Sequence, residues 1–281
     1  MLEGDRLVGS TAAAGRPVAT ASARRRTGER LRARIISTTA VVVFMVAWES
    51  IVRFGVVNPL FTSSPSRIVV TFLGMLKEGV LAKDIRVSGT EFVIGYSLAI
   101  LVGIVVGVAM GWYRDVSAAL QPFVSTLYST PRIALLPLFI IWLGIGIWSK
   151  VAVVFLVAMF QILIATEAGV RSADESLIRT ARSFGATDWQ IFTTVVVPGA
   201  VPFLIAGLRL GLGQALVGIV VGELYAATAG IGYEIAVAGE TFQTDRVFVG
   251  IMILAIAAIS LMWCFRRLEL RFERWRPQRL A

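Results

Sequence analysis

Residues 172–202 read SADESLIRTARSFGATDWQIFTTVVVPGAVP, a polar island in the apolar second half of the chain. Two patterns in it mark helix starts. Ser172 with Glu175 and Thr187 with Gln190 have capping-box spacing, in which side chains satisfy the orphan N–H groups of a first turn. The first helix is expected to run to about Phe184 and stop at Gly185, because a residue without Cβ permits the left-handed turn that ends helices. The second is expected to end near Val197, since Pro198 disfavours helix in the residue before it. Two short helices on a polar segment between apolar stretches read as a docking loop. The plainer alternative is an ordinary helix-turn-helix linker.

The composition around this island sets the class. Of 281 residues, 57% are apolar and 16% charged, and the mean hydropathy of +0.78 belongs to an integral membrane protein. A hydrocarbon core of about 30 Å needs about 20 apolar residues in helix. Six stretches qualify, approximately 35–54, 92–112, 118–143, 148–168, 199–222 and 247–265. The expected fold is all-α, with six transmembrane helices within residues 35–268. A flexible basic arm (1–34) precedes them and a basic tail (269–281) follows.

An even number of spans puts both termini on one side. Under that topology eighteen Lys and Arg fall with the termini and the island: eight in 1–34, Arg114, Arg171, Arg179, Arg182 and six in 266–279. Six fall opposite: Arg67, Lys77, Lys83, Arg86, Lys150 and Arg246. The positive-inside rule then places both termini and the island in the cytoplasm. The arginines of the arm either meet anionic lipid headgroups or only fix orientation; no nucleic-acid partner is expected.

Several chemistries are excluded. The chain has no histidine, and a single cysteine, Cys264, builds neither an internal disulfide nor a thiolate metal cluster. No Gly-Lys-Ser/Thr phosphate loop occurs, so ATP hydrolysis is not expected here and no resident cofactor or metal is implied.

The spacing of the island carries a resemblance. Gly185, nine residues, Val195, one residue, Val197 and Pro198 resemble the cytoplasmic Glu-Ala-Ala loop of permease subunits from bacterial ATP-binding-cassette importers. In that family Glu-Ala-Ala precedes the glycine by three residues, which here falls on Arg179, Thr180 and Ala181. The family's acidic residue is thus an arginine, a departure that bears on any salt bridge made by that glutamate and leaves the docking register intact. PRIALLPLFIIWLGIG, starting at Pro131, and FQTDRVFVGI, starting at Phe242, resemble the nitrate, sulfonate and taurine branch. The resemblance implies a type I importer permease at the bacterial inner membrane. Its coupling helix, around Ala181, Arg182, Ser183, Phe184, Gly185 and Ala186, would dock on one of two ATPase subunits, which would bind ATP and magnesium. A second permease copy and an extracytoplasmic substrate-binding protein complete the implied assembly. An ion-coupled secondary transporter or a membrane-embedded assembly subunit are the alternatives.

Candidate path residues come from breaks and charges inside spans. Pro122, Pro131 and Pro137 interrupt the third span and Arg132 sits between two of them, so Pro131, Arg132 and Pro137 are translocation-path candidates. A kinked packing helix with a snorkelling arginine is the alternative. Arg209 lies about eleven residues into the fifth span, as a path charge or as a tie to Glu167 or a carbonyl. Glu223 is a further path candidate and, with Glu234, Glu240 and Asp245, reads as an acidic outside loop facing solvent. Gly103, Gly107 and Gly111, four apart, predict a packing face. The run 68–76 is amphipathic enough to lie along the membrane surface.

Overall fold

Glycine spacing decides how the central helices meet. In the computed structural model, which describes residues 18–58 and 60–272, α3 (Val80–Trp112) and α6 (Ile147–Arg171) cross along Gly95, Gly103, Gly107 and Gly111. A Cβ added at Gly107 would stand 2.7 Å from the Leu163 carbonyl oxygen, and one at Gly111 2.5 Å from Val170 Cβ. Backbones in that contact gain dispersion energy, which drives association where lipid removes the hydrophobic term. The opposite face of α6 packs on α9 (Val197–Ala226) through Gly207, Gly211 and Gly218. α6 is therefore sandwiched. Val154, Ala158 and Ile162 form one buried cluster with Ala99 of α3 and with Ala215 and Ile219 of α9. The outward side chains, such as Val93, Leu101, Val105 and Val217, are apolar and exposed, as a lipid-facing surface requires.

Five described helices are long and apolar enough to cross a membrane, and a bent pair makes six if counted as one span. That pair is α4 (Arg114–Ser129) and the segment Arg132–Leu143, at 92° to each other. Pro131 causes the break: its ring drives the preceding residue out of helix, and Thr130 is extended at ψ 138°. A 3-10 turn (Arg132–Leu135) and α5 (Leu136–Leu143) follow, with Pro137 in the first turn of α5, where its missing N–H costs nothing. The expected interruption of the third span is present.

Other boundaries differ from expectation. α3 starts at Val80 rather than near residue 92, because Leu81 and Asp84 are buried and give its polar first turns something to dock on. The amphipathic run 68–76 belongs to α2 (Pro65–Lys77), capped by the Ser64 hydroxyl, which accepts from the Arg67 N–H. Ile68 and Met75 are buried in it, and α2 packs on α11 (Thr244–Phe272) rather than lying free on a surface.

α1 (Val18–Arg53) belongs to a separate unit that ends at Asn58, with Arg32–Arg53 as its spanning candidate. The helix starts at Val18, so residues 18–34 of the expected flexible arm are helical. Alanine and arginine are strong helix formers, which a composition test for disorder overlooks. Residues 1–17 lie outside the described residues. At the far end α11 carries the helix through 269–272, and the remainder of the expected tail, 273–281, also lies outside them.

Candidate docking loop and buried charge cluster

The docking loop is built from local capping. α7 (Glu175–Ser183) is capped by Asp174, whose carboxylate accepts the Ser176 N–H at 2.7 Å, rather than by Ser172. The expected Ser172–Glu175 box fails because α6 runs to Arg171 and leaves Ser172 in helical conformation, its hydroxyl donating to the Gly169 carbonyl at 2.7 Å. A cap must be extended, as Asp174 is. The Ser176 hydroxyl and backbone N–H hold the Asp174 carboxyl below the usual carboxylate range. α7 ends as expected at Gly185, which takes φ +79° while its N–H donates to the Arg182 carbonyl at 2.9 Å. The Thr187–Gln190 box is complete and starts α8 (Asp188–Ile191).

The chain does not break at Pro198. α8 passes through one π-turn (Phe192–Val196) directly into α9, with the Val197 N–H reaching back to the Phe192 carbonyl. The wider turn accommodates the proline ring. The threonines repair the shifted ladder: Thr193 Oγ1 donates to the Trp189 carbonyl at 2.9 Å and Thr194 Oγ1 to the Gln190 carbonyl at 2.6 Å. α8 is thereby continuous with α9.

The exposed face of the docking loop carries two large aromatic side chains among charged and polar ones. Phe184 is 87% and Trp189 72% exposed, next to exposed Arg182, Ser183 and Gly185, while Ala181 and Ala186 are half-buried. Arg179 pairs with Glu175 within α7, and the Arg182–Asp188 pair ties α7 to α8. The inner face packs Phe192 on Trp112 of α3, beside buried Val170, Val196 and Ala200. Behind it lies a cavity of about 1040 Å³ lined by Arg114, Ser117, Glu167, Arg171, Arg182 and Asp188, among others.

Arg209, Lys150 and Arg132 have different surroundings. Arg209 pairs with Glu269 of α11, not with Glu167, and is half-exposed rather than buried. Glu167 instead pairs with Arg171 at 2.8 Å and accepts from Ser117. Lys150, counted above as a loop charge, is 4% exposed and lies 2.5 Å from Glu91 Oε1. Among the described residues Arg132 has no carboxylate partner. Its guanidinium lies over the rings of Tyr128 at 4.9 Å and Phe160 at 5.8 Å, and Nη1 is buried without a hydrogen-bond acceptor.

Glu223 corrects the solvent-facing acidic loop. It is 1% exposed within α9 and forms a cluster with Lys150 and the equally buried Glu91. Glu223 Oε2 accepts the Gly232 N–H at 2.7 Å at the start of α10 (Ile231–Glu240), and Asp84 accepts the Gly230 N–H at 2.9 Å. Of the other acidic residues, Glu234 pairs with Arg246 and Asp245 with Arg67. Sequence reading missed Glu91 and Lys150 because charges near span ends are ordinary. Only their approach from separate helices makes a centre.

The docking register sits on a glycine-packed helical bundle, and residues 99–274 match the family described as the binding-protein-dependent transport system inner membrane component. The chain belongs to this family. It is 34% identical over 245 residues to the taurine transport system permease protein of Escherichia coli K12, covering 85% of this chain and 89% of that one. It is 33% identical over 234 residues to a Bacillus subtilis 168 permease whose name assigns it to aliphatic sulfonates transport, covering 83% of this chain and 85% of the other. A solved inward-facing structure of the MetNI methionine ABC transporter superposes with a TM-score of 0.59 at 21% identity, over 69% of this chain and 96% of that one. That likeness shows the fold, the type I ABC importer permease fold. The protein is a multi-pass permease subunit, and membership of its family implies an ATPase and a binding protein as partners.

Proposed function

We propose that this permease carries a small organic anion of the sulfonate or taurine type across the bacterial inner membrane. It would work as two permease copies on two cytoplasmic ATPases that bind ATP and magnesium, with an extracytoplasmic binding protein delivering cargo. Both termini and the docking loop face the cytoplasm in this reading, which the eighteen-to-six distribution of basic residues supports.

Arg132 is the observation that carries the anion. A charged arginine at membrane depth costs about 2.5–3.5 kcal/mol on insertion scales. Two aromatic faces return about 1 kcal/mol each, while a buried N–H without an acceptor costs about 1–3 kcal/mol more. The guanidinium is left with demand for an acceptor, at the broken turn between α4 and α5. A passing sulfonate supplies that acceptor. Pro131 and Pro137 act by holding the turn open. The docking side rests on Phe184 and Trp189, two exposed aromatic groups in a polar loop, which suit a groove on an ATPase.

Vesicles containing the permease, its ATPase and a taurine-loaded binding protein test the reading. ATP-dependent taurine uptake is expected, and Arg132→Ala should lower it roughly tenfold, about 1.4 kcal/mol, with the complex still assembled. Full anion uptake by an assembled Arg132→Ala complex removes the basis for an anionic cargo.

A further inference from the structure

Away from the docking loop, three helices bring Glu91 (α3), Lys150 (α6) and Glu223 (α9) together in the protein interior. Lys150 Nζ stands on Glu91 Oε1, and Glu223 Oε2 holds the Gly232 N–H. The remaining oxygens, Glu91 Oε2 and Glu223 Oε1, are both buried and, among the described residues, both without a hydrogen-bond partner. The two carboxyl groups interact with each other, and Ser88 also reaches Glu223. The groups facing the pair are therefore Lys150 from α6, Asp84 and Ser88 from α3, and the Gly230, Ile231 and Gly232 N–H groups from the start of α10. Asp84 is occupied by the Gly230 N–H and Ser88 receives the Ile231 N–H.

Fully ionised, Glu91, Lys150 and Glu223 carry one net negative charge in a place water does not reach, and the buried Asp84 carboxylate beside them, held by the Gly230 N–H, adds a second. An uncompensated buried charge neutralises rather than staying ionised, and two carboxylates in one site cannot both remain charged. We propose that Glu91 and Glu223 hold one proton between their unpartnered oxygens, making this cluster a buried proton-binding site. A single proton turns one orphaned oxygen into a donor and leaves the other as its acceptor. It also brings the three side chains to zero net charge. A metal cation does not serve, because the Lys150 ammonium already stands on Glu91 and repels a second positive charge.

The loop between α9 and α10 closes over the site. Gly230 passes it at φ +121°, and a Cβ there would stand 2.4 Å from Glu223 Oε1, so only glycine fits. Release of the proton thus requires this loop to lift, and the resulting charge opposes its return.

Infrared spectroscopy of the full-length permease in its complex, at about pH 7, tests the site. A protonated-carboxyl band that shifts in D2O is expected in the wild type and is lost in Glu223→Gln and in Glu91→Gln. The melting temperature of the wild-type complex should depend on pH, and that dependence should weaken in Glu223→Gln. Absence of the band in the wild type, its survival in both variants, or a melting temperature that follows sodium instead of pH overturns the proposal. If the glutamine variants do not assemble, the wild-type band and its pH titration decide alone.

Discussion

Trp112, the last residue of α3, meets Phe192 of the docking segment edge to face, with ring centroids 5.2 Å apart. The pair joins the docking loop to the central helix sandwich. An aromatic pair of this geometry contributes about 0.5–1.5 kcal/mol beyond its buried area. Phe192→Ala is expected to leave the ATPase bound and hydrolysing while cargo uptake falls. Parallel assays of ATPase rate and uptake in vesicles check this; a variant with both rates unchanged excludes a transmitting role for the contact.

Gly185 provides the second test. At φ +79° a β-branched side chain is strained by about 1–2 kcal/mol, and proline also removes the N–H that donates to Arg182. Gly185→Val and Gly185→Pro should insert into the membrane normally and lose the ATPase on copurification. Retention of stoichiometric ATPase by both variants contradicts the docking assignment.

Breaking the buried ion pair should be far more damaging than removing it whole. Lys150→Met leaves Glu91 buried without its cation, at a cost of about 3–5 kcal/mol, whereas Lys150→Met with Glu91→Gln should recover most of that loss. Melting temperatures of the purified complexes give the cycle. Additive losses in the double variant show that the pair is not coupled.

Arg209 should matter much less. Its partner Glu269 and its own half-exposed guanidinium limit the contact to about 0.2–1 kcal/mol. Arg209→Ala is expected to assemble with a small drop in melting temperature, and the reversed pair Arg209→Glu with Glu269→Arg to restore it. A large loss that the reversal does not repair places Arg209 in cargo handling instead.

Legibility followed the range of the physics. Gly185 and the Thr187–Gln190 box were readable because a left-handed stop and a capping box are closed within a few residues. Ser172 against Asp174 was not, although both are good caps. The choice depended on how far α6 ran, and that is set by its packing on α3 and α9. Pro198 misled for a similar reason: a proline rule describes a regular helix, and the π-turn with its two threonine hydroxyls changes the ladder around it.

By itself the sequence determined the class, the spans, the broken third crossing and the helix stop and cap at Gly185 and Thr187, since hydropathy, proline sterics and capping act along the chain. The glycine face of α3 was legible too; that α6 fills it was not. Only the tertiary structure decided that Glu91, Lys150 and Glu223 share one interior site, that Arg209 meets Glu269, and that Arg132, unlike Lys150 and Arg209, has no carboxylate among the described residues. Charge compensation is a property of distance in space. No period or spacing along one chain records which helix faces will bring opposite charges together.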